Sequence, residues 1–221
     1  MSQGGRGGTG ERESYAMPGP NQFSFIGNGQ TLYLVLGSCI SSVLVGRKDG
    51  RFIAAANHIM IAKEHQSSVI EMKSARSQVD AMLRTFGTEH GIDAGGIICL
   101  HLVGAGSRVS SESFHVHHDN VIETRNVLGD AGIPIVFEDT GSHFFATYSI
   151  REQMVSVFVE NRFIGSHLSY ILDMERLFEL GCGSSTHLPA SGLQPGNRGF
   201  EDLVENGVIV FITGEKNRSG V

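Results

Sequence analysis

The feature that most constrains this chain is a succession of short apolar runs, rich in β-branched and aromatic residues and separated by glycine-bearing turns. TLYLVLGSC, ending at Cys39, leads into SSVLVGRKDGRFIAAANHIMIA, in which Lys48-Asp49-Gly50 reads as a hairpin turn. Gly27-Asn28-Gly29 marks an earlier turn, and GGIICLHLVGAG, IPIVFED, HFFATYSI, MVSVFVENRF and VIVFITG supply further strands. Two segments break the pattern. From Ser67 to Phe86, Met72, Ala75, Val79, Met82, Leu83 and Phe86 fall at the spacing of one helical face, with Gly91 ending the region. A shorter helix is expected over about 120–128, with Val121, Val127, Leu128 and Ala131 inward and Gly132 near its end. Two helices among some seven strands predict an α+β fold of layered mixed β-sheets, with a sandwich-like core flanked by the helices. There is no internal repeat.

The 221 residues suffice for one good core and a small appendage. Residues 1–22, rich in glycine and polar side chains, read as a mobile tail, because little in them repays the entropy of ordering. Residues 23–163 read as the globular domain. Residues 164–221 read as an extension holding an amphipathic piece, SYILDMERLFEL, then a glycine- and proline-bearing loop and a final strand. A net charge of −6 gives no general attraction to phosphate backbones or anionic lipid, so nucleic-acid and membrane-surface partners are not expected. No run approaches the roughly 20 apolar residues of a spanning helix, and the N-terminus lacks a signal-type apolar stretch, so a cytoplasmic protein is expected. Cys39, Cys99 and Cys182 are odd in number and far apart, which suggests neither a disulfide framework nor a cysteine zinc site.

Chemistry concentrates at LGSC. An apolar strand breaks at Gly37 and places Cys39 in the following turn, where neighbouring amides can face a developing oxyanion. A nucleophilic thiol needs a base, and His58 in NHIMI lies on the strand after the hairpin, so adjacent strands can bring the two together. The plain alternatives are a packed cysteine and a half-buried core histidine, and on the residues alone both readings stand. Cys99, between Ile98 and Leu100, reads as core, and Cys182 as an incidental surface or loop thiol.

TLYLVLGSC followed by a hairpin and ANHIMI resembles the bacterial chemoreceptor glutamine deamidases, the CheD family, whose pattern is a threonine-bearing strand, LGSC and AHxML. The likeness continues through VGAGS at Val103 to Ser107, through Asn120 at a helix start, and through GIPIVFEDTG at Gly132 to Gly141, in the family's order. The resemblance implies hydrolysis of glutamine side chains on methyl-accepting chemotaxis receptors: Cys39 as nucleophile, His58 as base and then acid, no cofactor and no metal. It further implies amides near Gly37, Ser38 and Cys39 for the oxyanion, and the Gly104 to Ser107 turn as part of the lining. The family threonine that orients the histidine lies six residues before the cysteine, where Tyr33 stands here; Thr31, two residues earlier and on the same strand face, is the candidate. Asp119 stands where the family has Arg, and Ser142 where it has a second Gly.

Two other readings compete. The family also binds a CheC-type phosphatase, so a non-catalytic chemotaxis adaptor fits the same resemblance. In HVHHDN, His115, His117 and Asp119 mimic most of an H-x-H-x-D-H metal motif, with Asn120 in place of the last histidine, which suggests a metal-dependent hydrolase. The simpler reading is a polar loop whose Asp119 or Asn120 caps the following helix.

Overall fold

The structure is a computed structural model that describes residues 14–61, 74–106, 116–162, 165–180 and 198–216. Strands β1 (Ser14–Ala16), β2 (Phe23–Ile26), β3 (Gln30–Leu36), β4 (Ile40–Lys48) and β5 (Arg51–Asn57) open the chain. Helix α1 (Ala75–His90), β6 (Ile97–Ala105), α2 (Val116–Asp130), β7 (Ile135–Ser142), β8 (Phe144–Arg151) and β9 (Met154–Asn161) follow. β10 (Ser166–Asp173), α3 (Met174–Glu179), α4 (Arg198–Glu205) and β11 (Ile209–Lys216) complete the described residues. They build a six-stranded sheet, β1-β3-β8-β9-β10-β11, and a five-stranded sheet, β2-β5-β4-β6-β7.

The sheets face each other. One buried cluster joins Leu32, Leu34 and Leu36 of β3 to Val43 and Val45 of β4 across the gap, and a second joins the other side of the five-stranded sheet to Val79, Met82 and Phe86 of α1 and to Val127 and Leu128 of α2. Alternation along β3 explains the division, since its even-numbered leucines face inward while Thr31, Tyr33 and Val35 face out. The layers are therefore sheet, sheet and helices, as the α+β reading expects.

The Lys48-Asp49-Gly50 hairpin forms with Asp49 and Gly50 at φ 52° and 70°, the left-handed pair that a tight turn matched to strand twist requires. Helix α1 begins later than its apolar spacing suggested: Ser74 caps it, accepting a hydrogen bond from the Ser77 amide, and Gly91 closes it in the left-handed conformation. Residues 67–73 of the expected helix lie outside the described residues.

Three boundaries differ from the sequence reading. The segment 14–22 is not wholly tail, because β1 pairs in parallel with β3 and the main chain at residues 21 and 22 bonds to that of His58. The stretch after residue 164 is not an appendage to the core: β10 pairs along its whole length with β9 and β11, and Tyr170 and Leu172 are buried between the sheets. SYILDMERLFEL, read as one amphipathic piece, divides into two elements. Strand β10 ends at Asp173, whose side chain accepts from the Arg176 amide and caps α3. Strand alternation running into helical spacing had merged the two.

A polar chain crosses the core. The Tyr148 hydroxyl on β8 lies 2.6 Å from His101 Nδ1 on β6, and His101 Nε2 lies 3.0 Å from Asp139 Oδ2 on β7; the His101 and Asp139 side chains are wholly buried. With the hydroxyl donating to Nδ1, the Nε2–H is left for the carboxylate, and all three groups are satisfied. The couple resembles a catalytic pair in composition but has no access to solvent, so it joins the two sheets instead. Tyr148→Phe removes the hydroxyl that donates to Nδ1 and is expected to cost about 1–3 kcal/mol, read as a lower urea midpoint with an unchanged slope.

Candidate functional site

Strands β3 and β4 belong to different sheets, so the chain must cross between layers at Gly37-Ser38-Cys39. The crossing is pinned from β6. The Ala105 amide donates to the Cys39 carbonyl at 2.7 Å, and the Gly106 amide donates to the Gly37 carbonyl at 2.8 Å. Cys39 is half-buried at the margin of the core between the sheets.

His58 reaches the same place by register. Ile40 and Ile59 exchange both main-chain hydrogen bonds, at 3.0 and 2.8 Å, continuing the antiparallel pairing of β4 with β5. Ile40 and Ile59 point into the core under the helices. Their neighbours Cys39 and His58 therefore point to the other face, as diagonal cross-strand partners with Cα atoms about 7–8 Å apart. The residues between which hydrolysis is expected thus share a face at the ends of two neighbouring strands.

The imidazole is oriented by main chain. His58 Nδ1 lies 3.2 Å from the Pro18 carbonyl oxygen, to which it donates as the Nδ1–H tautomer, while the His58 amide donates to the Gln22 carbonyl and the His58 carbonyl accepts from the Asn21 amide. Nε2 then carries the lone pair, and among the described residues it has no hydrogen-bond partner. No hydrogen bond joins the ring to the thiol in this resting state. Burial holds the His58 pKa below its ordinary value, against a smaller opposing effect of the Pro18 carbonyl. Burial likewise pushes the Cys39 thiol up, partly offset by the hydrogen bond from its own main-chain amide. Both shifts disfavour the charged forms, the thiolate and the imidazolium.

Thr31 does not stand in this arrangement. It projects from the outer face of the six-stranded sheet, where its hydroxyl is 2.8 Å from that of Ser149. The orienting acceptor that its residue type suggested is a carbonyl from the 14–22 segment, which no side-chain pattern announces. Gly37 also differs from expectation. Its φ is not positive, and a Cβ built on it meets nothing within 4 Å, so the turn itself does not demand glycine there. The steric demand falls on Gly104, at φ 111°, where a Cβ would lie 2.4 Å from the Cys39 carbonyl oxygen. Ser107 lies outside the described residues. Among the described residues the amides of Ser38 and Cys39 donate to no main-chain carbonyl, and that of Cys39 is bonded to its own sulfur.

The HVHHDN segment is helical from Val116, not a capping loop. His117 and Asp119, two residues apart on α2, point to opposite sides of the helix and cannot ligate one ion together; His115 lies outside the described residues. Among the described residues no group of three His, Cys, Asp or Glu side chains is placed to hold a metal. Asn120 neither caps nor ligates. It is buried, and its Nδ2 donates to the carbonyls of Ser38, at 3.2 Å, and Met60, at 3.0 Å. Cys99 is buried in the helix-side core, and burial drives its thiol pKa far up. Cys182 lies outside the described residues.

No protein-family model matches the chain. Over 141 residues it is 29% identical to a probable chemoreceptor glutamine deamidase CheD of Caldanaerobacter subterraneus subsp. tengcongensis, a match covering 62% of this chain and 84% of that protein. Among the described residues no helix is long and apolar enough to cross a membrane.

Proposed function

We propose that the protein is a chemotaxis-related, CheD-like hydrolase that converts glutamine side chains of methyl-accepting chemotaxis receptors to glutamate through a thioester on Cys39. The likeness to the glutamine deamidase supports the chemotaxis setting and the receptor as substrate partner. One observation supports the chemistry above all: the Ile40–Ile59 bridge gives Cys39 and His58 a shared face while Pro18 occupies Nδ1 and leaves Nε2 to act.

In this reading Sγ attacks the carboxamide carbon of the substrate glutamine as Nε2 takes the thiol proton. The amides of Ser38 and Cys39 receive the oxyanion. As the tetrahedral species collapses, the carbon–nitrogen bond breaks, the imidazolium returns its proton to the nitrogen and ammonia leaves. Nε2 then removes a proton from water, the hydroxide adds to the thioester carbon, and the carbon–sulfur bond breaks as the imidazolium returns that proton to sulfur, releasing glutamate and the thiol. No cofactor enters the scheme.

The test is mass spectrometry of a receptor cytoplasmic fragment incubated with the protein. Each glutamine hydrolysed adds about 1 dalton, and the gain is expected to vanish with Cys39→Ser, which removes the thiol nucleophile. A fragment that binds the wild-type chain without gaining mass would sink the proposal and point to an adaptor, of the kind that engages a CheC-type phosphatase.

A further inference from the structure

We infer that Asn120 is the positioning residue that fixes the spacing between Cys39 and His58, by clamping the two strands with one side-chain amide at the point where they part. The inference rests on the reading of that pair as the hydrolytic centre. In the register that pairs Ile40 with Ile59, Cys39 stands opposite Met60 and Ser41 opposite His58. Beyond Ile40 and Ile59 the ladder stops, since β3 must rise into the other sheet and Met60 lies in a bend. The break exposes the reactive groups, and it also leaves carbonyls without amides from the partner strand.

Asn120 fills that gap from α2. Its Nδ2 donates one hydrogen to the carbonyl of Ser38, the residue before the nucleophile, and the other to the carbonyl of Met60, two residues past the base. Helical spacing aligns Asn120 with the inward-facing Thr124, Val127 and Leu128, so the amide is held by a packed element and shielded from water. On the far side of the nucleophile, the Ala105 amide holds the Cys39 carbonyl. The main chain around Cys39 is thus tied from two directions. A small side chain with two donors on one atom is needed: aspartate has none when ionised, and serine has one. Both of these bonds end on main-chain carbonyls, so their effect on the reacting groups passes through the main chain that carries them.

The test follows alkylation of Cys39 by iodoacetamide in the full chain, resolved by peptide mass spectrometry across pH, together with deamidation of the receptor fragment. In the wild type the alkylation profile is expected to carry a limb that titrates with His58. Asn120→Asp is expected to erase that limb and to lower kcat roughly 10²-fold with little change in KM, the size of loss that misplacing a reacting group by about 1 Å produces. Asn120→Ser, keeping one donor, should fall between. A double variant with His58→Gln should lose no more reactivity than His58→Gln alone, whereas a residue that only stabilises the fold would add its own loss. Variants with wild-type profiles, or losses that simply multiply, would overturn the inference. Should the variants not fold, the native chain still decides it: both Asn120 side-chain hydrogens should exchange slowly with solvent, and fast exchange counts against the clamp. Alkylation needs no substrate, so failure of the deamidase reading leaves this result readable by itself.

Discussion

His58→Gln is expected to lower kcat/KM for receptor deamidation by roughly 10²- to 10⁴-fold, the usual contribution of a positioned general base. Thr31→Val, by contrast, is expected to leave it within about twofold, as for a substitution away from any catalytic group. The contrast follows from where each side chain is held. Thr31 is bonded to Ser149 on the outer face of one sheet, while the His58 ring is held by the Pro18 carbonyl just past the end of a strand of the other. The pH profile carries the same logic. Because Nε2 must be unprotonated to accept the thiol proton, activity is lost as pH falls through the His58 pKa. Burial lowers that pKa, so the acid limb of wild-type kcat/KM should lie below the 6.5 of an ordinary histidine. Both the limb and the rate should disappear together in His58→Gln. A Thr31→Val enzyme as poor as His58→Gln would show that the ring is oriented from the other sheet and would refute this account.

Legibility in the sequence followed the range of the interactions. The hairpin at Lys48-Asp49-Gly50 was readable because turn chemistry is local: Asp and Gly tolerate the positive φ that the turn imposes. That hairpin also carries the pairing of Cys39 with His58, because it fixes the register of β4 on β5 and the register decides which side chains share a face. By contrast β1 is short, mostly exposed and polar at Ser14, so nothing in its pattern marks it as a strand; its partner β3 makes it one. β10 was hidden because its apolar alternation runs directly into α3. Main-chain groups left no trace at all. The Pro18 carbonyl that orients His58 has no side-chain identity to read, and Asn120 looked like a cap or a failed metal ligand because its two acceptors come from distant strands.

The glycines at the crossing make the same point in energetic form. Gly104→Ala is expected to destabilise the protein by roughly 3–5 kcal/mol, adding the strain of a side chain at positive φ to the cost of overpacking. At φ 111° the new Cβ would fall 2.4 Å from the Cys39 carbonyl oxygen and 3.1 Å from Leu36 Cδ1. The oxygen is main chain, so relief requires moving the strand that carries the nucleophile and loosening the 2.7 Å bond from the Ala105 amide. Activity should therefore fall by more than the loss of folded protein explains. Gly37→Ala is the matched comparison, since its Cβ meets nothing within 4 Å and its φ is ordinary. It is expected to shift the urea midpoint by less than the equivalent of about 1 kcal/mol. Equal damage from the two substitutions would mean that the turn at Gly37, not the close approach of β6 at Gly104, sets the position of the thiol. A glycine beside a nucleophile attracts attention in a sequence, but the need for one lies where a second strand presses against the nucleophile's own carbonyl.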